Sequence, residues 1–188
     1  MISDSSLPQA FQAIRDKDEK VLWTGQPDRL PFLISGIPFL FFGLCWGAFD
    51  YFGFIRHMGG RNGIPLGFAI PFFALHLIPF WGSLLNMVRL ALVVGNTYYA
   101  VTAKRLMLRS GFWGTDFASF DLSQVANMEV TVNPIENAHG VGTITFYSTG
   151  LSRNGVRLTL GRFVGIARPY DLYKLIQQAV DGKLPAVA

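Results

Sequence analysis

A chain of 188 residues with 51% apolar and only 15% charged residues is too greasy for a disordered protein and leans towards lipid. The net charge of +4 would suit nucleic acid or an anionic membrane surface, but beside apolar spans basic residues are expected for orientation alone, so no nucleic-acid partner is read. The single cysteine, Cys45, excludes an intramolecular disulfide and a four-cysteine metal site, and no metal or cofactor is expected.

Residues 1–29 form a polar segment of mixed charge. They lack the short apolar core and cleavage site of a secretory signal, so the apolar run that follows reads as a retained signal anchor. Ser6 to Lys20 fits a short helix: Pro8 suits a first turn, and Leu7, Ala10, Phe11 and Ile14 repeat at i, i+3, i+4 and i+7, a stripe that would lie on a membrane surface. Val21-Leu22-Trp23-Thr24-Gly25-Gln26-Pro27 is a strand-like run ending in turn residues. Trp23 would equally serve as an anchor at headgroup level.

Two apolar runs follow, Leu30 to Ile55 and Ile64 to Val88, of 26 and 25 residues. A helix needs about 20 such residues to cross the hydrocarbon layer. The first carries one formal charge, Asp50, and the second none, where a soluble helix of this length would show a polar stripe. The pattern predicts a membrane hairpin: a first helix over 30–55, a loop over 56–63 and a second helix over 64–90. Four basic residues precede the first span (Arg15, Lys17, Lys20, Arg29), two lie between the spans (Arg56, Arg61) and four follow closely (Arg89, Lys104, Arg105, Arg109). This places both termini in the cytoplasm and the loop outside. Gly43 and Gly47 form a small-xxx-small pair that would admit a close partner helix, either the second span or another copy.

His76 falls at the centre of the second run, where an ionisable group is either a functional candidate or a neutral ring bonded to the first helix. Asp50 lies ~10 Å from the first span's midpoint at about 1.5 Å per residue, so straight helices would not pair the two. Asp50 would then reach the interface or meet Arg56 or Arg61.

Beyond Gly95 the period changes from helical to alternating. Strands are predicted at Thr97 to Thr102, Arg105 to Ser110, Trp113 to Phe120, Asn127 to Val132, Val141 to Tyr147 and Val156 to Val164. Six short strands divided by turn residues argue for an antiparallel sandwich or small barrel. A closing helix is marked by Pro169, Asp171, the series Leu172, Leu175, Ile176, Ala179 and Val180, and Gly182.

Val21 to Pro27 ahead of a two-helix hairpin, then Tyr99-Ala100-Val101-Thr102-Ala103-Lys104-Arg105-Leu106-Met107-Leu108, then Gly142-Thr143-Ile144-Thr145-Phe146, resembles the bacterial pleckstrin-homology (PH) domain proteins with two membrane helices. The resemblance runs from about Asp18 to Val180; Ala103 stands where the family often has an acidic residue. It implies an α+β membrane protein: a transmembrane hairpin, then a PH-like antiparallel barrel or sandwich over 96–182, closed by a C-terminal helix. It also implies a domain that binds or scaffolds at the cytoplasmic face of a bacterial inner membrane, with membrane lipids and a protein partner or second copy as partners.

Lys104, Arg105 and Arg109 would face anionic headgroups at about 1 kcal/mol each, unless they form a solvated turn. Gly140-Val141-Gly142 is followed by neither a helix nor a Lys-Ser or Lys-Thr pair, so it offers no phosphate cradle. Cys45 and His76 both fall within the predicted membrane spans, His57 in the outer loop and His139 on a cytoplasmic turn, so by simple geometry no nucleophile is set beside a histidine base, and no small-molecule substrate is identified. The expected function is a non-catalytic membrane-anchored scaffold. A small oligomeric channel or transporter subunit using His76 and Asp50 is the alternative.

Overall fold

The strand-like run before the apolar spans is the first strand of the sheet that resumes after them. In a computed structural model describing residues 9–12, 14, 16, 19–57, 65–151 and 157–182, β1 (Val21–Gly25) pairs antiparallel with β2 (Tyr98–Thr102), Thr24 opposite Ala100 and Gly25 opposite Tyr99. The chain divides into two compact units, Leu33–Leu92 and a discontinuous one of Met1–Phe32 with Val93–Ala188. The apolar helices are therefore an insertion in a strand-to-strand connection. The expected division, with 1–29 apart from a 96–182 domain, leaves out a strand that the sheet includes.

In the discontinuous unit the first sheet has the order β1-β2-β3-β4, with β3 (Arg105–Ser110) and β4 (Asp116–Asp121). The second has the order β5-β6-β7, with β5 (Val125–Thr131), β6 (Val141–Leu151) and β7 (Arg157–Ala167). The sheets are distinct and all their pairings antiparallel, so the architecture is a two-sheet sandwich and not a closed barrel. Alternation explains the core: Tyr99, Val101 and Leu106 from the first sheet meet Ile144, Phe146 and Phe163 from the second. The Tyr99 hydroxyl accepts the Val164 N–H at 3.1 Å across the sheets, and burial pushes this phenol up to about 12 in spite of that bond.

The opposite face of β2 and β3 is also covered. Phe11, in the helical turn α1 (Gln9–Gln12), is fully buried against Ala100 and Met107 and meets Phe117 edge-on at 6.0 Å. The stripe expected to lie on lipid thus buries this aromatic on the sheet.

The apolar unit contains α3 (Ile37–Gly53), α4 (Leu66–His76) and most of α5 (Ile78–Asn96), entered through α2 (Arg29–Ile34). Asp28 starts α2: its Oδ1 accepts the Leu30 N–H at 3.0 Å while its own N–H donates to the Gly165 carbonyl at 2.8 Å. Gly165 adopts φ +65°, a conformation that favours glycine, and a Cβ there would also press on the Asp28 nitrogen at 3.3 Å. The second helical segment breaks at Leu77, two residues before Pro79, and runs on to Asn96, beyond the predicted end at 90. The segments Arg29–Gly53 and Ile78–Asn96 are long and apolar enough to cross a membrane, and only 11% and 17% of their apolar windows are buried, unlike the core helices of a soluble protein.

The sandwich is closed by α7 (Pro169–Val180), which buries Leu172, Ile176 and Ala179 and ends at Gly182 with φ +68°. A short helix that the periodicity does not announce, α6 (Pro134–Ala138), is built by a capping box. Asn133 accepts the Ile135 and Glu136 N–H groups while the Glu136 carboxylate accepts the Asn133 N–H at 3.0 Å.

Candidate functional site

Three places collect polar or exposed groups that the fold alone does not account for. The first is in the apolar unit, where Gly36 at the N-cap of α3 and the glycines within that helix set an antiparallel register. A Cβ at Gly36 would sit 2.8 Å from Met87 Sδ, one at Gly47 would sit 2.7 Å from the Phe80 ring, and one at Gly43 would strike Ser83 and lie 2.7 Å from the Pro79 carbonyl oxygen. Continued outward, that register brings Asp50 to His76, whose Nε2 lies 3.2 Å from Asp50 Oδ1.

Straight helices with His76 at the centre of the second span would keep these two apart. They meet because the second helical segment runs over 66–96 with its midpoint at Trp81, so His76 is displaced towards the same end as Asp50. The Asp50 side chain is fully buried, and among the described residues neither of its oxygens accepts a hydrogen bond of good geometry. The ring of His76 is stacked on Phe72 at 5.1 Å, and its carbonyl accepts the Trp46 Nε1–H at 2.9 Å. A Gly43→Ala substitution is expected to cost about 1–3 kcal/mol by overpacking against Ser83 and a backbone carbonyl. Gly53→Ala, with open space around it, is expected to cost nothing; thermal unfolding of the full chain in detergent checks both.

The second place is the β2–β3 turn with its predicted basic cluster. Arg105 donates from Nε to Glu19 Oε1 at 2.9 Å and from a terminal nitrogen to Glu19 Oε2 at 2.8 Å and Asp16 at 3.0 Å. The Thr102 hydroxyl also donates to Glu19, at 2.6 Å. Burial raises the Glu19 carboxyl, but the bonds from Arg105, Thr102 and the Asp16 N–H outweigh it and bring the group down to about 2. Glu19 in turn holds Arg105 above its ordinary value. Arg105 is thus an internal strut tying the N-terminal segment to the turn, not a free headgroup ligand. Lys104 remains exposed, 3.8 Å from Asp16, and Arg109, towards the other end of β3, lies over the Tyr98 ring at 5.7 Å. Trp23, expected at the headgroups, instead stacks on Phe163 at 6.2 Å: as a β1 residue it packs against the sandwich core.

The third place is the edge of the second sheet. Strand β5 ends that sheet, and α7 runs beside it, leaving an open groove of about 160 Å³ lined by Val125, Asn127, Met128, Tyr173, Gln177 and Val180. This groove needs β5 and α7 brought together over more than forty residues, so no local signal announces it. Among the described residues no group of three His, Cys, Asp or Glu side chains is arranged to hold a metal, and Cys45 is exposed on α3.

No curated protein and no solved structure matches the chain. A family model described as Bacterial PH domain matches residues 41–180, well over half of the chain, from within α3 to the last residue of α7. That match begins after β1, which nevertheless completes the first sheet of the sandwich it describes. The matched residues take in strands β2 to β7 and the closing helix α7, and this chain belongs to the bacterial PH domain family.

Proposed function

We propose that the chain is a non-catalytic scaffold of the bacterial inner membrane. Its apolar helices cross the bilayer as a hairpin, both termini are cytoplasmic, and the PH-like domain is displayed at that face to take a protein partner. The observation that carries this reading is the insertion of the apolar helices between the hydrogen-bonded strands β1 and β2. An anchor joined through two adjacent strands leaves the domain far less freedom than a single flexible linker would, which suits display at a surface. Lys104 and Arg109 are the basic side chains left to meet anionic headgroups, and Gly43 and Gly47 pack the hairpin. The partner adds an extended segment to the open edge of β5, with its side chains in the groove beside α7.

Photocrosslinkers at Asn127 and Gln177 are expected to capture the same protein from native membranes, and one at Ser119 on β4 is not. Equal capture at all three sites, or recovery of the intact chain in the aqueous fraction without detergent, contradicts the reading. A second reading, a small oligomeric channel or transporter subunit, has the buried Asp50 beside His76 in its favour.

A further inference from the structure

The turn joining β3 to β4 carries two large apolar side chains at its tip. Trp113 is 93% exposed, more than any other large apolar side chain among the described residues, and Phe112 is 44% exposed. Hairpin tips ordinarily carry Asn, Asp and Gly, so this tip spends aromatic surface where the fold gains nothing from it. The turn is tightly built: a Cβ on Gly111 would strike the carbonyl oxygen of Gly114, so the two aromatics are held between two close-set glycines.

Its position follows from one hydrogen bond. Asn96, the last residue of the apolar helix α5, donates its side-chain amide to the Gly111 carbonyl at 3.4 Å. Trp113, two residues farther on, lies within ~7 Å of chain from that point, before its own side chain is counted. Arg109 over the Tyr98 ring completes the group, with Tyr98 two residues beyond Asn96. Trp, Tyr, Phe and Arg gathered where an apolar helix ends are the residues that favour a membrane–water boundary.

We propose that Phe112 and Trp113 form a wedge that inserts into the headgroup–acyl boundary of the leaflet from which α5 emerges, with Arg109 at phosphate level. This inference rests on the reading of α5 as a membrane span. It adds a second, shallow contact between domain and bilayer, which restrains the tilt of the domain.

The test uses the full chain in a Cys45→Ser background, reconstituted in phosphatidylcholine–phosphatidylglycerol vesicles. An environment-sensitive fluorophore is placed at Trp113→Cys, at Gln178→Cys on the exposed side of α7, or at Leu85→Cys on the exposed face of α5. The expected result is a blue-shifted probe at 113, quenched several-fold more by shallow than by deep acyl-chain nitroxides. The probe at 178 should remain water-like and that at 85 should be quenched by deep nitroxides. A probe placed at Phe112→Cys should lose its quenching when Trp113→Asp is added. If position 85 is quenched while 113 behaves like 178, or is shielded without lipid quenching as a protein contact would make it, the wedge is refuted and the span stands. If position 85 is not quenched, both fail.

Discussion

Replacing Arg105 by alanine is expected to lower the stability of the PH-like unit by ~3–5 kcal/mol, because it strands a buried carboxylate that the guanidinium now compensates. Glu19 is 2% exposed and loses two charge-assisted bonds in that variant, keeping only Thr102 and a backbone N–H. The same pair sets an acid limit. Glu19 titrates at about 2 in the fold against an ordinary 4.5, so the folded state binds its proton less readily than the unfolded chain. Its contribution, about 3 kcal/mol, is fully present above roughly pH 5 and is lost as the pH falls from 4.5 towards 2. Glu19→Gln keeps the shape and removes the charge, so its stability should change less between pH 5 and 2 than that of the parent. Denaturation of the full chain in detergent, followed by near-ultraviolet circular dichroism at several pH values, reads both effects. An Arg105→Ala variant as stable as the parent would mean that Glu19 is solvated and the strut is not one.

How far the residues disclose this arrangement depends on the range of the interaction. Local signals serve well: Arg105 to Ser110 is read as a strand with its observed ends, and Pro169, Asp171 and Gly182 bracket the closing helix. The run from Val21 reads as a strand from its own composition, but its partner β2 lies more than seventy residues away, across the apolar insertion, and nothing local announces that pairing. The capping box of α6 is legible locally as Asn133 followed three residues on by Glu136, although Asn133-Pro134 reads equally as a turn. Glu19 is a polar residue in a polar segment, and only the tertiary fold makes it a buried one. The Phe112–Trp113 pair between two glycines is visible too, but alternation places Trp113 in the predicted strand.

His76→Leu alone is expected to destabilise the helical hairpin by about 3–5 kcal/mol, whereas Asp50→Val combined with His76→Leu should recover most of that loss. The Asp50 carboxylate is fully buried beside the imidazole, so deleting the imidazole leaves a charge or a lone polar group in an apolar setting. Replacing both by apolar side chains removes the penalty along with the attraction. A double-mutant cycle on the full chain, unfolded by denaturing detergent, isolates the coupling. The outcome also separates the two functional readings. If the pair serves only to hold α3 against the second helix, the apolar double variant keeps its anchor and its photocrosslinks at Asn127. If it relays a proton or ion, the double variant stays folded but loses flux across vesicles, and Asp50→Asn, which keeps the shape, loses it as well. Retained crosslinking together with an unchanged ion leak would remove the channel reading. Flux lost without a change in stability would place the function of the chain inside the membrane.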